Sequence, residues 1–262
     1  MAQARPGWAA VHEAAAALVE EAGARGHLLR LVGSTGIRLH CQPAAAALDR
    51  LGRPAKDIDL VCRHEDRKGL RRLLEERGWQ VDRDLLVAME GRRYAYRHPG
   101  SGLELDVFVD RLEFCHTIEL RDRLGRREVT VPVEDLLLQK LQIVRQTVTD
   151  RMDAAALLAT HPVGPGSGGG PGPGEAIDAG YVAGLLARDW GFHHTAIANL
   201  AALRDGVGGQ PGNGAVAAVR QRVDALLAAI AAAPKSVRWR ARARVGERLQ
   251  WWQDVDDREA VY

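Results

Sequence analysis

The chain has 262 residues, 46% hydrophobic and 27% charged, with 36 Lys and Arg against 34 Asp and Glu for a formal net charge of +2. That length suffices for one large domain or two small ones with a real core, and the near-neutral balance excludes a global field drawing nucleic acid or an anionic membrane, leaving only local patches. No window holds the ~18 consecutive apolar residues of a membrane-spanning helix, Glu13, Glu20 and Glu21 interrupt any signal peptide, and Cys41, Cys62 and Cys115 are too scattered for a disulfide framework or zinc knuckle; the expectation is a soluble, cytoplasmic protein.

In chain order, Ala9 to Ala24 reads as a helix, with Val11, Ala15, Leu18 and Val19 on one stripe. The run HLLRLVG is a short strand that stops at Gly33, and Ser34-Thr35 then takes the N-cap position of a helix over 36–51, interrupted near Pro43. Lys56 to Cys62 is the second strand, and 67–78 is an amphipathic helix with Leu70, Leu73 and Leu74 inward. Arg92–Arg97 and Leu103–Val109 alternate across HPGSG as a hairpin. A second hairpin is expected from His116–Leu120 and Arg127–Val131 around Leu124-Gly125-Arg126. Pro132 opens a helix through Arg145, and another runs from Asp150 to Thr160.

Composition shifts sharply at 164–174, GPGSGGGPGPG, which has no side chain able to build a core and reads as a flexible linker of about 18 Å. The expected organisation is therefore an α/β domain over 1–163, with a mixed sheet flanked by helices, this linker, and a helical domain over 175–262. Helices are expected near 176–189, 192–204, 215–233 and 235–253. The last carries Arg238, Arg240, Arg242, Arg244 and Arg248 among Trp239, Trp251 and Trp252. Such a stretch can track an RNA backbone, but the acids from Asp254 onward cancel much of its charge, and a solvated helix face is the favoured reading.

Three pieces carry potential chemistry. Gly33-Ser34, between strand and helix, lets backbone approach a ligand closely and offers helix N–H groups to a phosphate. Asp57 and Asp59 alternate with Ile58 and Leu60, so both carboxylates share one face of a strand. Their mutual repulsion is relieved by a divalent cation between them. In LELDVFV, Glu104, Asp106 and Phe108 share a face, and Asp106 completes a trio of acids if its strand lies beside the first. Three converging carboxylates suit two Mg²⁺ ions in phosphoryl or nucleotidyl transfer.

With these pieces in place, the sequence resembles the nucleotidyltransferases of the DNA polymerase beta superfamily, nearest to the AbiEii-like branch that includes toxin nucleotidyltransferases of toxin–antitoxin systems. LRLVGSTGIRLH, PAKDIDLV, LELDVFV and VPVEDLLLQKLQ carry the resemblance, over roughly 27–160. It implies Mg²⁺-dependent transfer of a nucleoside monophosphate from an NTP such as ATP to an acceptor hydroxyl. Asp57, Asp59 and Asp106 would hold two Mg²⁺ ions, or Mn²⁺. Gly33, Ser34, Thr35 and Lys140 would bind the nucleotide, with Asp150 and Asp153 on the following helix matching acids of the branch. It further implies an acceptor such as RNA or a small molecule, and an antitoxin protein as partner. The chain departs from the family in an insert over 42–53 and in Ser34-Thr35 where a second glycine is common. The competing readings are an inactive binding module with the same fold, an antibiotic- or protein-modifying nucleotidyltransferase, and a DxD glycosyltransferase, which would need neither the Gly-Ser turn nor the strand acid.

Among the remaining candidates, Arg38 and His40 are expected on a solvated helix face, Tyr94 and Tyr96 in packing, and His193-His194 without a metal role. Lys56 is an ordinary strand-flanking charge, and Asp110 substitutes for Asp106 only if the strand register shifts by four.

Overall fold

The computed structural model describes residues 7–41, 57–165, 175–206 and 214–254. Lys56, the insert over 42–53, most of the Gly/Pro-rich stretch and the acids beyond Asp254 lie outside the described residues. Contacts divide the chain into two compact units: Met1–Leu112 with Glu119–Pro132, and Glu113–Ile118 with Val133–Tyr262. The glycine-rich stretch where composition changes falls within the second of these units.

The first unit is built on a five-stranded mixed sheet. Helix α1 (Trp8–Ala24) leads into β1 (Leu29–Leu31), α2 (Gly33–His40), β2 (Asp57–Cys62), α3 (Arg67–Glu76) and β3 (Gln80–Val81). Then come α4 (Arg83–Ala88), β4 (Arg93–Arg97) and β5 (Glu104–Val109). The strand order is β1-β2-β5-β4-β3. The central pair β2–β5 is parallel, while β1–β2, β4–β5 and β3–β4 are antiparallel.

Alternation along these strands separates the sheet's two faces. Leu29 and Leu31, Ile58, Leu60 and Cys62, Leu105, Val107 and Val109, with Tyr96, form one apolar surface. Val11, Ala15, Leu18 and Val19 of α1 and Leu70, Leu73 and Leu74 of α3 cover it. Each large aliphatic buried here contributes about 1.5–3 kcal/mol relative to exposure. The opposite face carries the polar residues of β2, β5 and β4.

The hairpin across HPGSG is formed: the His98 N–H donates to the Leu103 carbonyl at 2.9 Å, and Gly102 supplies the positive φ of 68° that the return needs. The second expected hairpin is not. Residues 117–119 (β7, Thr117–Glu119) pair instead with β6 (Arg111–Glu113). The 129–131 segment lies along the open edge of β1, where the Leu31 N–H donates to the Val129 carbonyl and the Val131 N–H to the Leu31 carbonyl. An unpaired edge is a strong acceptor of strand, and Arg30 reinforces the choice by donating through Nε to the Arg127 carbonyl at 2.5 Å.

Two further differences are local. Helix α2 begins at Gly33 with Val32 as N-cap and no side-chain cap, so Ser34-Thr35 lies inside the first turn. Helix α4, unassigned from sequence, is nucleated by Asp82, whose Oδ1 accepts the Asp84 and Leu85 N–H groups.

The second unit is mainly helical. It contains α5 (Val133–Leu141), α6 (Val148–Thr160), a short parallel ladder of β8 (Val163–Gly164) with β9 (Ile177–Asp178), then α7 (Ala179–Leu186), α8 (Trp190–Gly206), α9 (Gly214–Ala232) and α10 (Val237–Val245). Every residue of α5 is buried, including Glu134, Asp135, Gln139 and Lys140. A reciprocal capping box, Thr147 with Asp150, starts α6. Helix α10 stops at Gly246 (φ 59°), short of the expected 253, and the chain then turns back. Trp251 packs edge-on against Trp190 and His194, and its indole N–H donates to Thr195 Oγ1 at 3.1 Å. No described helix is long and apolar enough to cross a membrane.

His116 lies beneath this cluster, stacked on Phe192 at 5.0 Å with its Nε2 2.9 Å from Thr195 Oγ1. Burial pushes its pKa down to about 4, and burial with neighbouring Lys235 and His194 does the same to His193. The unfolded chain therefore binds protons that the folded chain refuses between about pH 6.5 and pH 4. Stability should be fully present above pH 6.5 and fall as the pH drops towards 4, His116 accounting for up to about 3 kcal/mol. Chemical denaturation across that range should show the loss, and His116→Gln should flatten the profile by its share.

Candidate functional site

The parallel register of β2 and β5 sets Asp57 opposite Glu104 and Asp59 opposite Asp106. In-register neighbours of a parallel pair project to the same side, so four acids share the sheet face opposite the α1–α3 core. Asp57, Asp59 and Asp106 are half-buried and Glu104 is exposed. Like charges directly opposite each other on adjacent strands are unfavourable by roughly 0.2–1 kcal/mol a pair, and this surface carries two such pairs.

Strand β4 supplies the counter-charge. Its register puts Ala95 opposite Asp106, Arg93 opposite Phe108 and Arg97 opposite Glu104. Arg93 thereby reaches diagonally to Asp106 and holds it bidentately, Nε to Oδ1 at 3.1 Å and Nη2 to Oδ2 at 2.9 Å. Both side chains are 18% exposed, and the guanidinium carbon lies 5.2 Å from the Phe108 ring centre. The sequence reading missed Arg93. Its signal was the two-residue spacing that puts Arg93, Ala95 and Arg97 on one face of the expected strand.

Asp59 faces the turn that leaves β1. Gly33 has φ 64°, and a Cβ built on it would overlap the Asp59 carboxylate, with Cγ at 2.8 Å. Position 33 thus needs glycine twice, for its backbone conformation and for the space the carboxylate fills. The Val32 N–H donates to the Asp59 carbonyl at 3.0 Å, fixing the α2 N-terminus beside β2. Thr35 is fully buried and its hydroxyl donates to the Asp57 carbonyl at 3.2 Å, so it braces the first acid from beneath. Ser34 is the more exposed of the two.

The elements thus bring Gly33, Ser34, Asp57, Asp59 and Asp106 to one face. Among the described residues, no group of three or more His, Cys, Asp or Glu is placed to hold a metal ion as the side chains stand. Asp106 gives both oxygens to Arg93 instead. The donor set suits a divalent cation in chemistry, being hard carboxylate oxygens on a crowded like-charged face. In this conformation its third member is engaged.

Lys140 belongs to the second unit. Its Nζ lies 2.9 Å from Asp150 Oδ1 and 3.1 Å from Asp153 Oδ2, with Asp153 fully buried. Burial alone would raise the Asp150 carboxyl, but the Lys140 charge and the Thr147 hydrogen bonds outweigh it and hold the pKa below the usual carboxylate range. This trio pins α5 to α6.

The other candidates resolve differently from expectation. Arg38 and His40 are buried, not solvated: the Arg38 guanidinium carbon lies 3.9 Å from the Trp8 ring centre, and His40 Nε2 is 2.7 Å from Thr130 Oγ1. Segment 129–131 and helix α1 roof over α2, which its own periodicity does not disclose. Tyr94 and Tyr96 stack at 6.5 Å, and His193 and His194 pack against Trp239 and Trp190. Asp110, at φ 63°, follows the far end of β5 and accepts from the His64 N–H and Arg121, so it does not stand in for Asp106.

No protein-family model matches the chain, and no curated protein matches it. A solved structure that it resembles is an antigenic nucleotidyltransferase-like protein from Paracoccidioides brasiliensis, at 16% identity and TM-score 0.42 over 86% of this chain and 94% of that one. A likeness of that size decides neither fold nor chemistry, and the functional reading stands on this chain's own residues.

Proposed function

We propose that the chain is a metal-dependent nucleotidyltransferase that moves a nucleoside monophosphate from an NTP to an acceptor hydroxyl. The acceptor oxygen bonds to the α-phosphorus, the bond to the bridging oxygen breaks, pyrophosphate leaves and the hydroxyl proton passes to water, a transfer that Asp106 would assist. The observation that carries this reading is the paired register Asp57–Glu104 and Asp59–Asp106 beside Gly33. A face so loaded with acid is costly to a structural protein and useful to one that binds cations and phosphates.

Asp57 and Asp59 would hold Mg²⁺ or Mn²⁺, with Asp106 as the third ligand, and the bound ion would neutralise charge developing on the transferring phosphate. Gly33 keeps the α2 entrance open, so that the helix N-terminus and Ser34 can meet the triphosphate. Thr35 keeps Asp57 in place. Lys140 is the resemblance's nucleotide-binding lysine, and here its ammonium already serves Asp150 and Asp153. The resemblance to toxin nucleotidyltransferases points to an RNA 3′ hydroxyl as acceptor and to an antitoxin as partner. The second reading is a non-catalytic module in which Arg93 permanently neutralises Asp106, favoured by the bidentate pair itself. Titration with ATP and Mg²⁺ separates the two: absence of binding selects the module.

Incubation with labelled NTPs, Mg²⁺ and total RNA should release pyrophosphate, and Asp59→Ala should cut the rate on the order of a hundredfold or more. Unchanged turnover in that variant would refute the assignment. Gly33→Ala should destabilise the fold by about 1–2 kcal/mol from its backbone conformation alone, with a further loss from overlap at Asp59. A double-mutant cycle with Asp59→Ala should recover the second part and not the first. Lys140→Met should cost about 3–5 kcal/mol by leaving buried Asp153 uncompensated, measured by denaturant unfolding. If Lys140 also binds nucleotide, ATP affinity measured under conditions where the variant remains folded should fall with it.

A further inference from the structure

We propose that Arg93 is a built-in competitor for the divalent cation at Asp106, holding the third carboxylate closed until metal and nucleotide arrive. This rests on the reading above and adds to it a residue that neither the sequence nor the resemblance marked.

The planar guanidinium fork takes both Asp106 oxygens at 3.1 and 2.9 Å, a two-point grip that a single hydrogen bond or a lysine would not provide. A cation and this fork cannot both use the same in-plane lone pairs of one carboxylate. Competition by another cation for those oxygens can release the grip. The pair is only partly exposed, at 18% for each side chain, so solvent screens it less than a surface pair. Arg93 is also positioned to let go without unfolding anything: it projects from β4 beside Phe108, and its backbone stays in the β4–β5 ladder whichever way the side chain points. Once displaced, a guanidinium on the strand next to Asp106 is a phosphate-binding group. The same residue would thus close the site before the cation binds and meet the substrate afterwards.

In closing the site Arg93 acts through Asp106, as a positioning residue, and the test of that role must move something that a structural role would not. Mn²⁺ affinity of the intact chain, read by electron paramagnetic resonance without nucleotide, provides this. Arg93→Gln should tighten Mn²⁺ binding about tenfold, as expected when the competent state is roughly a tenth populated in the native chain. Arg93→Lys, which can grip only one oxygen at a time, should fall between the two and serves if the glutamine variant fails to fold. Adding Asp106→Asn to Arg93→Gln should abolish the gain. The affinity for Mn²⁺-ATP relative to Mn²⁺ alone should fall in Arg93→Gln, because the phosphate ligand is gone. A folded Arg93→Gln chain that binds Mn²⁺ no more tightly than the native chain overturns the competitor role and leaves the nucleotidyltransferase reading standing. If neither chain binds Mn²⁺, both fall.

Discussion

Two like-charged pairs standing side by side on neighbouring parallel strands set the terms for the rest of the first unit. Asp57 with Glu104 and Asp59 with Asp106 are forced together by the β2–β5 register, and that register is in turn locked by the apolar residues between them. Ile58, Leu60, Leu105 and Val107 must all face α1 and α3. A slip of one residue would turn every one of them to the other face. The hydrophobic core therefore holds the acids in place against their mutual repulsion, and Arg93 offsets part of it at Asp106. Core and site are two faces of one constraint.

The same economy governs the α2 entrance. The space that a Cβ at position 33 would need is filled by the Asp59 carboxylate, so the acid and the glycine depend on each other. Thr35 extends the link, tying α2 to the first residue of β2 through the Asp57 carbonyl. A helix start, a strand and two carboxylates are thereby fixed as one body. Preorganisation of this kind is what phosphate chemistry needs, since most of its catalysis lies in positioning and electrostatics.

Patterns of period two and of helical spacing were legible in the sequence: α1, β2, α3, the β4–β5 hairpin and the shared face of Asp57 and Asp59 all followed from residues close together in the chain. What was not legible depends on distant partners. The 129–131 segment alternates well enough for a hairpin, but its choice of the β1 edge over residues 116–120 is settled by β1 having a side to offer. Arg38 and His40 sit on a helix that looks amphipathic by itself, and Trp8 and Thr130 bury them from elsewhere in the chain. Asp106 was found by its strand pattern, but its grip by Arg93 needed the β4–β5 register. Alternation shows which face a residue takes and leaves open which neighbour awaits it there.

The placing of the unit boundary follows the same logic. Composition changes at the glycine-rich stretch, yet β8 and β9 pair across it, and residues joined by a ladder belong to one packed body. Helix α5 decides the matter. A helix buried on every side must be enclosed on every side, and α6, α7 and α8 each contact it within the second unit. Within that unit Lys140 answers Asp150 and Asp153, and the Leu141 carbonyl accepts from Asn199 of α8. A helix with those obligations cannot be assigned to the sheet that precedes it merely because it precedes the linker. Low-complexity sequence marks where the chain has nothing to bury, which is a separate matter from where a packed unit begins.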